Sequence, residues 1–234
     1  LEILGRKISG KTERIINEIY SNLKKPVEFR SIEAGNAFGS IIDNTDTFIV
    51  HLSLRLNGDV FETNLLHELF HGIQMTNSYP EIGNIVNDQF VAMLCSSLSS
   101  LVLDLEVQER LTEHGYDSSY FFNYRNRVLK ELANKNFAPI INDELNQKYV
   151  STNLALFFLT ASETQSKFIK HLYQNAPINT LNGALKIVDA IKKIGYDSPA
   201  KCFNCFMGVL DTLDIWNFYG ILYNGKSYSR LKSS

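Results

Sequence analysis

The apolar positions change period along the chain. Ile15, Ile16, Ile19 and Leu23 recur at helical spacing and predict a helix over residues 11–24, stopped by Pro26. Val27, Phe29 and Ile32 then begin an extended segment, and Gly35-Asn36-Ala37-Phe38-Gly39 reads as a turn. Residues 40–43 and 47–54 form two β runs around Asn44-Thr45-Asp46, a hairpin pattern. In the second run Phe48, Val50, Leu52 and Leu54 share one face; Ile49, His51, Ser53 and Arg55 share the other. Asn57-Gly58-Asp59 turns the chain, with Asp59 the expected N-cap of a helix over 60–76 that Asn77-Ser78-Tyr79-Pro80 ends. Phe90, Leu94, Leu98, Leu101 and Leu105 predict a second long helix over 82–102.

Beyond residue 115 the pattern is mostly helical. An aromatic-rich helix is expected over 116–133, and a loop around Pro139 over 134–142. Further helices are expected over 143–149, 151–173, 180–194 and 198–219. Thr180 caps the third of these, and Ser198-Pro199 opens the fourth. Asn224-Gly225 marks a final turn before a polar tail.

Composition narrows the class. With 44% hydrophobic and 21% charged residues, the 234-residue chain has the make-up of a globular protein. A net charge of -2 argues against a nucleic-acid or anionic-membrane partner recruited by charge. No uninterrupted apolar run, 154–159 included, is long enough for a bilayer, so no membrane span is expected. Three cysteines are too few for a disulfide framework. Cys202-Phe203-Asn204-Cys205 has no second ligand pair for a structural metal site, and both cysteines read as small helix-core residues. His171 reads as a histidine at a helix C-terminus, favoured by the dipole. The chain begins at Leu1 rather than Met, so the native N-terminus is expected upstream.

The chemistry concentrates in Leu65-Leu66-His67-Glu68-Leu69-Phe70-His71-Gly72-Ile73. Residues four apart on a helix share a face, so His67 and His71 can both point at one metal ion. Neutral imidazole suits Zn²⁺. Glu68 lies one step round the helix, placed to act as general base on a metal-activated water without being a ligand. The uncharged flanks fit a buried helix, where stray charges would be costly.

His-Glu-x-x-His resembles the signature of the zincin metallopeptidases. The resemblance is specific over residues 64–73. It implies zinc-dependent hydrolysis of peptide bonds, a peptide or protein substrate, and a small β-sheet packed on the metal helix. It also implies that the strand before that helix is the edge of the substrate cleft. His51 on that strand reads either as half-exposed or as facing the site.

Zincins commonly take a third ligand from a later helix. Asp104, Glu106 and Glu109 compete for that role, with Glu163 a remote candidate. Asp104 is preferred, because Asp104, Val107, Leu111, Gly115 and Asp117 resemble a segment of zincin-like proteins. The alternatives are that Asp104 caps a helix and that Glu106 and Glu109 are solvated helix charges. The expectation is therefore an α+β, zincin-like chain. Residues 1–115 form the metal-binding core, and 116–234 a helical subdomain completing the cleft. A different class stays open: a zincin-fold binding or regulatory module without turnover.

Overall fold

The computed structural model describes residues 1–32, 38–140 and 143–229. In chain order the elements are β1 (Glu2–Ile3), β2 (Arg6–Lys7), α1 (Gly10–Asn22), β3 (Val27–Ile32), β4 (Gly39–Asp43), β5 (Phe48–Ser53) and α2 (Gly58–Thr76). Next come β6 (Glu81–Asn84), α3 (Gln89–Glu113), α4 (Ser119–Asn134), α5 (Glu144–Thr160) and α6 (Glu163–Leu172). A 3-10 turn at Tyr173–Asn175 leads to α7 (Ile178–Ile194), α8 (Pro199–Leu213), β7 (Tyr219–Tyr223) and β8 (Lys226–Tyr228). The class is α+β, as expected. The chain forms two compact units, Leu1–Ser78 with Val107–Ser118, and Tyr79–Glu106 with Ser119–Ser234. The long helix α3 therefore contributes to both units, whereas the sequence places one division between residues 115 and 116.

In the first unit, Ser9 caps α1 by accepting from the Thr12 amide. Ile15, Ile16 and Ile19 are buried on one face of α1. Glu62 of α2 accepts hydrogen bonds from the Ser9 amide (2.8 Å), the Ser9 hydroxyl (2.6 Å) and the Thr12 hydroxyl. Burial alone would raise the Glu62 pKa, but the bonds from Ser9 and Thr12 outweigh it and hold the group below its usual value. These contacts tie the start of α1 to α2.

The sheet of this unit has the order β3-β5-β4. β5 pairs in parallel with β3, from Val27↔Phe48 to Ile32↔Ser53, and antiparallel with β4, from Gly39↔Leu52 to Asp43↔Phe48. The hairpin around Asn44-Thr45-Asp46 is present, closed by Asn44 N–H donating to Thr47 O (3.0 Å). The expected edge strand needs correction. β5 is central, so both of its backbone edges are already paired, and β4 is an edge strand among the described residues. The expected alternation also fails at Ile49, which is buried together with Phe48, Val50 and Leu52. A central strand covered on both faces loses the two-residue period. His51 is half-buried. Residues 35–37 of the expected turn lie outside the described residues, and Gly39 belongs to β4.

α2 begins two residues earlier than expected. Asn57 is its N-cap, and Asp59 sits in the first turn, where a negative charge meets the positive end of the helix dipole. The C-terminal limit at Thr76 agrees. Leu65, Leu66, Leu69, Phe70 and Ile73 are buried together with Thr63, Asn64 and Gln74. Such all-round burial marks a core helix rather than a surface one.

The second unit holds the sheet β6-β7-β8 and most of the helices. The helix expected over 82–102 is corrected at both ends. Residues 81–84 are a strand, paired from Glu81↔Leu222 to Asn84↔Tyr219, and α3 runs unbroken to Glu113. A four-residue strand whose partner lies far along the chain leaves little periodic signal. The last expected helix is also too long, since α8 stops at Leu213, residues 214–218 turn, and β7 begins at Tyr219. Asn224 and Gly225, both at positive φ (51° and 70°), join β7 to β8 as a tight hairpin. α5 joins the segment expected over 143–149 to the first part of that expected over 151–173, which breaks at Ala161; the rest is α6, opened by a Ser162/Gln165 capping box. Pro177 precedes α7, and Thr180 is buried inside its first turn instead of capping it. Ser198 caps α8 with Pro199 at its first position, as expected.

Cys202 and Cys205 are fully buried in α8, with thiols donating to Tyr196 O and Gly195 O (3.1 Å each). Burial pushes both thiols up to about 12, so neither is a thiolate near neutral pH.

Among the described residues, α3 is long and apolar enough to cross a membrane by length and composition, with an 18-residue window of mean hydropathy 1.7. Serines 96, 97, 99 and 100 interrupt its apolar residues, so it holds no long unbroken apolar run. Val91, Leu94, Leu98, Leu101 and Leu105 of α3 pack in the core of the second unit, and a buried core helix has this composition as well.

Candidate metal centre

α2 carries the two histidines on one face, one turn apart. The Nε2 atoms of His67 and His71 lie 3.1 Å from each other. Two ligands on a tetrahedral ion with metal–nitrogen bonds of about 2.0–2.1 Å would stand about 3.3 Å apart. The two rings meet edge to face, with centroids 4.7 Å apart and planes at 82°.

Asp104 completes the group. It lies on α3, three residues before the stretch that belongs to the first unit. The ligand atoms of His67, His71 and Asp104 all lie within 4.8 Å of one another, and together they can hold a metal ion. His67 and Asp104 are 7% and 8% exposed, which keeps competing water away from the ligands. The donor set is two imidazole nitrogens and one carboxylate, which a divalent transition metal accepts and which leaves a coordination position open.

The other acids expected to compete are placed differently. Asp104 is in mid-helix, not at an N-cap, because α3 is continuous around it. Glu106 is two residues on, about 200° round the helix, and so on a different face. It is buried, and its charge acts on the Cys202 thiol. Glu109 is exposed. Glu163 opens α6, is exposed and pairs with Lys167 at 2.7 Å. His171 lies in the last turn of α6.

Two features around the histidines went unread in the sequence. Gln74 is 2% exposed, and its Oε1 accepts from Nδ1 of His71 at 2.8 Å. That bond places the proton on Nδ1 and leaves the Nε2 lone pair for a metal. The spacing held the clue, since Gln74 follows His71 by three residues and must share its face. Gln74→Leu is expected to weaken metal affinity about 10–100-fold while leaving the helix intact. Competition titration with a chromophoric chelator measures this, and unchanged affinity would remove Gln74 from the site.

The second feature is Gly39. A Cβ built there would stand 2.7 Å from Glu68 Oε1, 2.9 Å from Glu68 Cγ and 2.7 Å from Asn64 Nδ2. The Glu68 side chain, 6% exposed, thus lies directly against the backbone of β4. Asn64, fully buried, donates from Nδ2 to Phe38 O (3.0 Å) and pins the start of β4 to α2. Gly39→Ala is expected to displace the Glu68 carboxylate while leaving the histidines in place. Metal content should therefore stay at the native level while any Glu68-dependent turnover falls; unaltered turnover would refute that positioning.

Compared with protein-family models, curated proteins and solved structures, the chain matches none of them.

Proposed function

We propose that this chain is a zinc-dependent metallopeptidase with a zincin-like core. The observation that carries the reading is the convergence of His67, His71 and Asp104 within 4.8 Å, with Glu68 next to the first ligand and held against β4. Two imidazoles and one carboxylate are a catalytic zinc donor set, which leaves a position for water or substrate. Zinc, when bound, polarises a carbonyl and makes water nucleophilic near neutral pH.

The chain's own residues then have distinct tasks. Gln74 fixes the His71 tautomer. Glu68, free of the ligand set, takes the proton from the attacking water and returns it to the leaving amine. Its burial keeps bulk water from competing for that proton, and Gly39 leaves room for its carboxylate. The β4 edge offers backbone donors and acceptors to an extended substrate, a mode that suits a peptide. β4 thereby takes the cleft role that the sequence assigned to the strand directly before α2.

The test is cleavage of a mixed peptide library by the zinc-loaded chain, with chelated and zinc-restored samples alongside. The reading expects cleavage that chelation removes and zinc restores. A zinc-loaded chain that cleaves no peptide would overturn it and leave a metal-binding module without turnover.

A further inference from the structure

Within the second unit, α4 and α5 enclose a cavity of about 320 Å³, a size within the range of small-molecule sites. Its walls are mainly apolar, with Leu129, Leu132, Ile140 and Val150 among them and Val128, 43% exposed, at its margin. One cation lines it, Arg125. Among the described residues, no hydrogen bond and no ion pair reaches the Arg125 guanidinium.

Its neighbours differ. Arg127 pairs with Glu131 (4.0 Å) and stacks over Tyr124, Lys130 sits over Phe168, and Lys148 pairs with Glu144 (2.7 Å). Burial pushes the Arg125 guanidinium below its ordinary value, and the Asp104 carboxylate acts in the opposite direction. An arginine does not give up its proton in a protein, so the half-buried side chain stays a cation with five donors.

We infer that this cavity binds an organic monocarboxylate with an apolar body, its carboxylate held by the Arg125 guanidinium and its hydrocarbon part by the aliphatic walls. A planar carboxylate matches the guanidinium fork with two parallel hydrogen bonds. A single lining cation suits a monoanion rather than a phosphate dianion. The lining amides carry no charge, and they donate within the protein: Asn146 Nδ2 to Asp143 (2.6 Å), Asn153 Nδ2 to Tyr149 O (3.0 Å) and Ser97 Oγ (3.5 Å). The carboxylate can belong to a free amphipathic acid or to the C-terminal residue of a peptide. The inference does not rest on the peptidase reading.

Isothermal titration of the full chain without added metal tests it, so that its failure and that of the metal reading stay separate. The probes are octanoate, N-acetyl-L-phenylalanine and the amide of the latter. Saturable binding of either acid at one site per chain is expected, and the tighter acid distinguishes the two sources. The amide should bind at least about tenfold more weakly than its acid, because it lacks the charge the fork recognises. Arg125→Gln should show the same loss towards the acid, with Arg125→Lys intermediate because it keeps the charge and loses the fork. Should Arg125→Gln fail to fold, the acid–amide comparison on the native chain decides. Absence of saturation by both acids, or equal binding of acid and amide, would overturn the assignment.

Discussion

Glu68→Gln is expected to keep one metal ion per chain and to lose peptide hydrolysis by a factor of about 10²–10⁴, the usual contribution of a positioned general base. The two properties separate because Glu68 stands outside the ligand set. The group that can hold a metal is His67, His71 and Asp104, while the Glu68 side chain lies against Gly39 of β4. Glutamine keeps the length and shape of the side chain and so preserves packing in this buried place. It has no basic carboxylate to accept a proton. Single-turnover kinetics alongside elemental analysis of the same sample reads both properties. Native turnover in the variant would remove Glu68 from the chemistry. Loss of metal together with turnover would instead make it part of the ligand shell.

Asp104→Asn is expected to weaken metal binding by more than about 100-fold, beyond the range typical of an outer-shell change, whereas Glu106→Gln should stay close to native. The amide keeps the volume of Asp104 but gives up the negative charge and a strong oxygen donor. The contrast follows from helix geometry, since two residues along α3 rotate the side chain to a different face. Both acids are buried, at 8% and 7% exposure, so burial alone does not separate them. Direct titration of both variants with Zn²⁺ decides. Equal affinities, or a larger loss in the Glu106 variant, would move the third ligand.

Much of this centre is legible in the sequence because its parts are local. His67, Glu68 and His71 lie within two turns of one helix, so spacing alone gives their relative directions. The choice of Asp104 is harder, since the register of α3 against α2 depends on tertiary packing. The same limit explains β6 and β7, short strands that find each other across most of the chain, and β5, whose burial on both faces follows from the parallel partner β3. Gln74 and Gly39 show two kinds of omission. The helical period places Gln74 beside His71, and reading outer partners along with ligands would find it. The role of Gly39 depends on how closely β4 approaches Glu68, which no local pattern in residues 35–39 encodes. The asparagine–glycine pair at 224–225 carries the tight-turn signal of a hairpin. Its strand β7 shares only Tyr219 with the helix expected over 198–219, and a strand this short carries little periodic signal of its own.

The most direct measurement is the metal content of the purified chain by elemental analysis after incubation with Zn²⁺ and removal of the excess, for the native sequence and for His67→Ala. The account expects about one zinc per native chain and a large loss in the variant, because three protein ligands are the usual minimum for a catalytic zinc. No bound metal in the native chain, or an equal content in both, would contradict the assignment of His67, His71 and Asp104 as a metal centre and, with it, the hydrolytic reading.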